Sequence, residues 1–264
     1  MFGKFGFPEM GALGAGVAST AATYVGTATY IFLGLRYARD GGFLRALPSV
    51  SSLKTMLRLS APAGLQQFLF AAGYTALFKI VGMVGTAQLA AANVLLNVTL
   101  VGILPGLGLG LAAASLVGQA LGREDVDDAE AWGWDVVRVA VVVIAVIGLP
   151  MVLVPELVLS IFLEDPDTIA LGVPALRLAG TFLAVDGVGL VLLNALLGAG
   201  ASQSVMKVAV STQWGIGLLG AYIVGPVLGG GLVAIWGVQV AYRVVQAIIF
   251  ARIWQGRRWA DIRV

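Results

Sequence analysis

The sequence predicts an all-α fold, a polytopic helical membrane bundle of about seven transmembrane helices, on three observations. Hydrophobic residues form 59% of the chain and charged residues 11%, against about 25% charged in an average soluble domain. Mean hydropathy is +0.96. The runs from Lys79 to Arg123 and from Val208 to Tyr242 are free of internal charge, and each exceeds the ~20 apolar residues needed to cross a ~30 Å hydrocarbon core.

The elements follow in order. A first helix is predicted at about 10–36, so that 1–37 reads as a lone transmembrane segment. Residues 38–58 are polar, with Arg39, Asp40, Arg45, Lys54 and Arg58, and read as a mostly irregular linker. Gly85-Thr86 splits the next apolar stretch into helices at about 60–84 and 88–121. A fourth is expected at 132–163, a fifth at 170–199 and a sixth at 205–226. Gly225-Pro226 and Gly229-Gly230-Gly231 then break the chain before a last helix at 231–255. Residues 59–264 therefore form a six-helix lobe. Pro62, Pro105, Pro150 and Pro174 are candidate kinks or first-turn prolines.

Charge narrows the function. A net charge of +2 with basic residues gathered in loops excludes nucleic acid as a partner. The chain has no Cys and no His, so thiolate nucleophiles and histidine metal sites are excluded, and proton handling falls to carboxylates, lysine or water. Lys and Arg are concentrated at 36–58 and in the tail with Arg252, Arg257, Arg258 and Arg263, whereas the opposite turns at 85–88 and 225–231 are uncharged. The basic side is cytoplasmic by the positive-inside rule. The acidic cluster from Glu124 to Glu130 falls on the same side.

One charge stands apart. Asp186 is the only ionisable residue between Arg177 and Lys207. A carboxylate at mid-bilayer costs roughly 2.5–3.5 kcal/mol by insertion scales, so Asp186 is expected to face protein or water and to bind something. Asn194 extends a polar stripe down the same helix. Asn93 and Asn97, spaced i, i+4, share one face and either bridge to a neighbouring helix or line a cavity. Gln67 and Tyr74 share a face of the second helix. Gln239, Arg243 and Gln246 align on the last, where Arg243 is expected to snorkel to the cytoplasmic interface. Lys79 is expected to snorkel outward rather than pair with Asp186. Gly106, Gly108, Gly110, Gly187, Gly189 and Gly198 are expected to serve close helix packing.

Residues 59–125 carry Pro62-Ala63-Gly64, Gly85-Thr86, Ala90-Ala91, Asn97 and Pro105, then Leu116-Val117-Gly118-Gln119 and Leu121-Gly122. Downstream stand Phe182, Asp186-Gly187, Ala195-Leu196-Leu197-Gly198, Trp214, Gly231-Leu232 and Trp236-Gly237. In this order they resemble the second half of multidrug and toxic compound extrusion (MATE) transporters. The opening Phe5-Gly6-Phe7-Pro8 is similar to the approach to that family's sixth helix.

The resemblance implies a two-lobed antiporter, not an enzyme, that exports cationic or amphipathic compounds in exchange for H+ or Na+, with no other cofactor. Its implied partners are the lipid bilayer, a small substrate, and a missing N-terminal lobe or second chain. Its implied location is the plasma membrane, multi-pass, with a cytoplasmic C-terminus. Asp186 falls where the family has an acid implicated in ion coupling. Phe70 stands where a Glu is frequent and Leu197 where an Arg is frequent, which weakens a two-carboxylate sodium site. A lipid or polysaccharide flippase of the same superfamily, and an inactive fragment needing a partner, are the alternative readings. The lone anionic Asp186 argues for cationic cargo.

Single cysteines placed at Ser51 and Ala260 in this cysteine-free chain are expected to resist an impermeant thiol reagent in intact cells. Ready labelling at both positions would reverse the orientation.

Overall fold

Seven long helices form, as the apolar runs require. The computed structural model describes residues 11–37, 39 and 49–262. Two compact units divide the chain, residues 1–54 and 55–264. The first contains α1 (Gly11–Tyr37), in which Thr20, Thr23, Thr27 and Thr29 each donate a hydroxyl hydrogen bond to the carbonyl four residues back. Phe5 to Pro8 and most of the expected linker lie outside the described residues.

The second unit is built from α2 (Val50–Val84, entering from the first unit), α3 (Thr86–Gly122), α4 (Val126–Leu153), the short α5 (Pro155–Ser160) and α6 (Pro166–Gly198). It continues with α7 (Ser202–Val227) and α8 (Gly231–Gln255) and ends in a 3-10 turn, Arg258–Asp261. Among the described residues there is no strand, and six helices, α2, α3, α4, α6, α7 and α8, are long and apolar enough to cross a membrane. The fold is a polytopic membrane bundle. α1 is not among those six.

Three boundaries differ from the expected ones, each for a local reason. Helix α2 begins at Val50, so 50–58 is helical and not linker; Ser49 caps it by accepting from the Ser52 N–H. Helix α4 begins six residues earlier than expected because Asp125 accepts the Asp128 N–H, and Asp127 and Asp128 sit in the first turn where the helix dipole favours acids. The fourth predicted helix then breaks at Val154, the residue before Pro155, in a non-helical conformation. Asp165 caps α6; bonds from the Thr168 N–H and hydroxyl hold its carboxyl below the ordinary carboxylate range. Pro62, Pro105, Pro150 and Pro174 all lie inside helices that continue through them.

Helix α6 is the centre of the lobe, packed on α3, α4 and α8. Small residues let it approach each. A Cβ at Gly198 would stand 2.4 Å from the Ala114 carbonyl oxygen of α3, and one at Gly148 of α4 would stand 2.9 Å from the Gly180 carbonyl oxygen. At Gly189 it would lie 3.3 Å from Ala247 of α8. Gly106, Gly110 and Gly187 are packed in the same way, as expected, while Gly108 faces open space. Leu183, Leu192 and Leu196 fill the core between these contacts.

Helix α7 is wound in the wider π form at Thr212–Leu218 and Ile223–Val227. Pro226 accounts for the second, since its ring and missing N–H disrupt the α ladder. The turn into α8 needs positive φ at Gly229 (68°) and Gly231 (70°), a region open to glycine at little cost.

At the far end, Arg257 pairs with Asp127 at 2.8 Å and with Glu130, tying the C-terminal segment to the start of α4. Trp259 stacks on Trp254 at 4.2 Å and donates its indole N–H to the Trp254 carbonyl.

Replacing Gly198 with Val is expected to destabilise the lobe by about 2–3 kcal/mol through overpacking against α3 backbone, whereas Gly108→Ala should be near neutral. Melting temperatures of the two variants in one detergent would check this.

Candidate functional site

A cavity of about 710 Å³ opens among α2, α3, α6, α7 and α8, with Ile144 of α4 on its wall. Its lining is largely aliphatic, with amide side chains interspersed. Among the described residues it carries one carboxylate, Asp186, and one guanidinium, Arg243. The two are paired. Arg243 Nη1 donates to Asp186 Oδ2 at 2.9 Å, and Nη2 donates to the Tyr74 hydroxyl at 2.8 Å. The two charged side chains are only 18–19% exposed.

The snorkelling expected of Arg243 is therefore corrected. Asp186 and Arg243 each lie twelve residues from the C-terminal end of their helices, α6 and α8, about 18 Å at 1.5 Å per residue. Opposite charges at one depth meet, and turning away would strand Asp186 unpaired at high cost. Lys79 is exposed on α2 and takes no part, so the minority Lys79–Asp186 pairing is also excluded.

Every predicted site residue lies on this cavity wall: Asp186, Asn194, Asn97, Asn93, Gln67 and Tyr74. Their bonding differs from expectation in one respect. Asn97 donates to the Asn93 carbonyl and side-chain oxygen at 2.9 Å, within α3, so the interhelical bridge is not made. Asn194 donates to the Leu190 carbonyl of its own helix at 2.8 Å, packed where Gly110 has no side chain. Gln67 is exposed to the cavity and Phe70, next to it, meets Tyr74 edge-to-face at 4.9 Å.

Two residues escaped the sequence reading. Gln213, buried in the first π segment of α7, donates to the Phe70 carbonyl at 3.2 Å, over Gly73, whose Cβ would collide with it at 2.4 Å. Its signal was a lone amide in an uncharged run. Trp214, singled out only for the resemblance, donates its indole N–H to the Leu69 carbonyl at 3.3 Å. From α8, Gln246 reaches the Thr212 hydroxyl at 2.8 Å and Gln239 the Gly217 carbonyl at 3.1 Å. The π segment of α7 is thus gripped from both sides by polar side chains, and backbone widened in this way is frequent at functional sites.

Residues 62–223 match the MatE family model. The chain belongs to the MatE family. Among relatives, the probable multidrug resistance protein NorM of Brucella suis is 32% identical over 252 residues, covering 89% of this chain and 52% of that protein. NorM of Thermotoga maritima is 27% identical over 270 residues, covering 98% of this MatE chain and 56% of its own.

The outward-facing conformation of a multidrug resistance MATE family transporter of the MOP superfamily superposes with a TM-score of 0.85 at 22% identity, over 97% of this chain and 58% of that one. A MOP superfamily transporter from Pyrococcus furiosus, for which reverse polarity of the binding pocket suggests a different function, gives 0.84 at 24% over 94% and 57%. The chain spans about half the length of the curated relatives it matches.

Removing one charge of the pair is expected to cost more than removing both. Arg243→Gln should destabilise by about 3–5 kcal/mol, and adding Asp186→Asn should restore much of the loss. A double-mutant cycle on melting temperature measures the coupling.

Proposed function

We propose that this chain forms the C-terminal lobe of a secondary antiporter that exports cationic or amphipathic compounds in exchange for H+ or Na+. The observation carrying this reading is the Asp186–Arg243–Tyr74 cluster on the wall of the cavity. A coupling cation at Asp186 competes with Arg243 for one carboxylate. When the cation is bound, Arg243 loses its counter-charge and turns its free donors toward the cavity; when it leaves, the pair re-forms. Ion occupancy and cavity polarity are then linked, and linkage of this kind is reciprocal.

The cluster also changes the argument about cargo. A preference for cations rested on an unpaired Asp186, and Arg243 cancels that charge. Among the described residues the wall is electrically balanced, which leaves amphipathic character as the better-supported part of the substrate description: aliphatic surface for an apolar body, amides for its polar groups. The guanidinium also supports the second reading, a flippase of the same superfamily whose cargo carries an anionic headgroup.

The lobe acts together with an N-terminal lobe, on the same polypeptide or a second chain, since the matched relatives are about twice the matched length. The plasma membrane is its site, with the C-terminus in the cytoplasm on the strength of the Lys and Arg distribution. Its role is transport and not catalysis.

In a complete transporter bearing this lobe, Asp186→Asn is expected to abolish ion-driven efflux of a cationic dye while leaving expression and melting temperature close to wild type. Export of the dye at the wild-type rate would remove Asp186 from the coupling role.

A further inference from the structure

We propose that one water molecule, held behind the ion pair on the side away from the main cavity, is the port through which a proton and not Na+ reaches Asp186. This rests on reading Asp186 as the coupling carboxylate.

A second, much smaller space of about 30 Å³ shares Tyr74, Asp186 and Arg243 with the main cavity. Its further lining, Ala179 and Phe182 on α6 and Trp236 and Gln239 on α8, precedes Asp186 and Arg243 in sequence, toward the Pro166 and Gly231 ends of these helices. The main cavity extends the other way, to Asn194, Leu197 and Gln246. The ion pair is the partition between them.

The small space suits water. It exceeds the ~10–15 Å³ that one water needs, and a buried water typically makes 2–4 hydrogen bonds. Four polar groups border it with capacity unused. Asp186 Oδ2 takes the Arg243 bond, which leaves Oδ1 without a partner among the described residues. The Tyr74 hydroxyl accepts from Arg243 and keeps its own proton to donate. Gln239 spends its N–H on Gly217 and keeps its carbonyl oxygen, and Thr99 donates to Leu95 and keeps its lone pairs.

The same groups disfavour Na+. The ionisable side chains facing Asp186 are Arg243 and Tyr242 from α8 and Tyr74 from α2; α3, α4 and α7 bring none among the described residues. A metal cation here would share a single carboxylate with a guanidinium already bonded to it, with no second acid to offset the repulsion. A proton needs only Oδ1. The water gives a proton to Oδ1 and takes one from solvent beyond it, so it is regenerated, and the neutral carboxyl no longer holds Arg243.

The probe is dicyclohexylcarbodiimide, which modifies protonated carboxyls, applied to the reconstituted protein with the adduct at Asp186 read by mass spectrometry. Labelling is expected to rise as pH falls and to change by less than about twofold when sodium chloride replaces choline chloride. Ala179→Leu, which fills the small space, is expected to slow labelling about tenfold at fixed pH, while Ala179→Ser stays near wild type. Thr99→Val, which removes one partner without adding volume, should slow labelling in the same direction.

Protection of Asp186 by sodium overturns the choice of proton, and equal labelling of the Leu and Ser variants overturns the port. Should labelling behave as expected while Asp186→Asn still exports dye, the port stands and the coupling role fails.

Discussion

A carboxylate and a guanidinium at one depth of an apolar bundle dominate the arrangement of the lobe. Each would be expensive alone: taking an ion out of water costs several kcal/mol even after relaxation. Together, at 2.9 Å, they offset most of that cost without adding much net stability. What the pair contributes is register. It fixes the height of α6 against α8, and the second arm of Arg243 brings in Tyr74 of α2. Three helices that bound the cavity are therefore set by one side chain, and a slip of one turn, about 5.4 Å, would separate the charges.

The remaining contacts are weaker and of a different kind. Lipid offers little hydrophobic reason for helices to associate, so close backbone approach and polar contacts carry the packing. Helix α6 meets α3 and α4 through glycines near carbonyl oxygens, and α8 through Gly189 against Ala247. Helix α7 is held by amide and indole N–H groups bonded to the main chain of α2, while amides of α8 bond its own Gly217 carbonyl and Thr212 hydroxyl. The central helix is fastened by shape and the peripheral one by hydrogen bonds. The cavity lies between these two regimes, bounded by a firm wall on the α6 side and a more adjustable one on the α7 side.

Most of the fold was legible because apolar length is a strong signal: the long helices fall close to where uncharged runs and glycine breaks placed them. Their ends were less legible. Asp125, Asp127 and Asp128 read as a polar loop, yet acids at a helix start are stabilising and belong to the helix. Asp186 stood out since nothing else in its run is charged. Arg243 bore the same mark, a lone charge deep in an apolar helix, and was misread because it was judged by nearness to an interface rather than by comparison with the depth of Asp186. The π segments of α7 left no periodic trace, since one extra residue in a turn does not alter composition. Gln213 was overlooked for the same reason: which face it occupies depends on that extra residue.

The winding of α7 also bears on how the lobe can move. A π turn holds one residue more than the α turn it replaces, and each residue advances a helix by about 100°. Passing such a bulge along the helix would swing every residue it crosses by that angle while both ends of the helix stay anchored. Gln213 and Trp214, which grip α2 through single hydrogen bonds, sit inside the first bulge. A migrating dislocation of this sort would release α2 and repoint two polar side chains without bending the bundle, and so gives the lobe a screw-like degree of freedom that no hinge in the chain supplies.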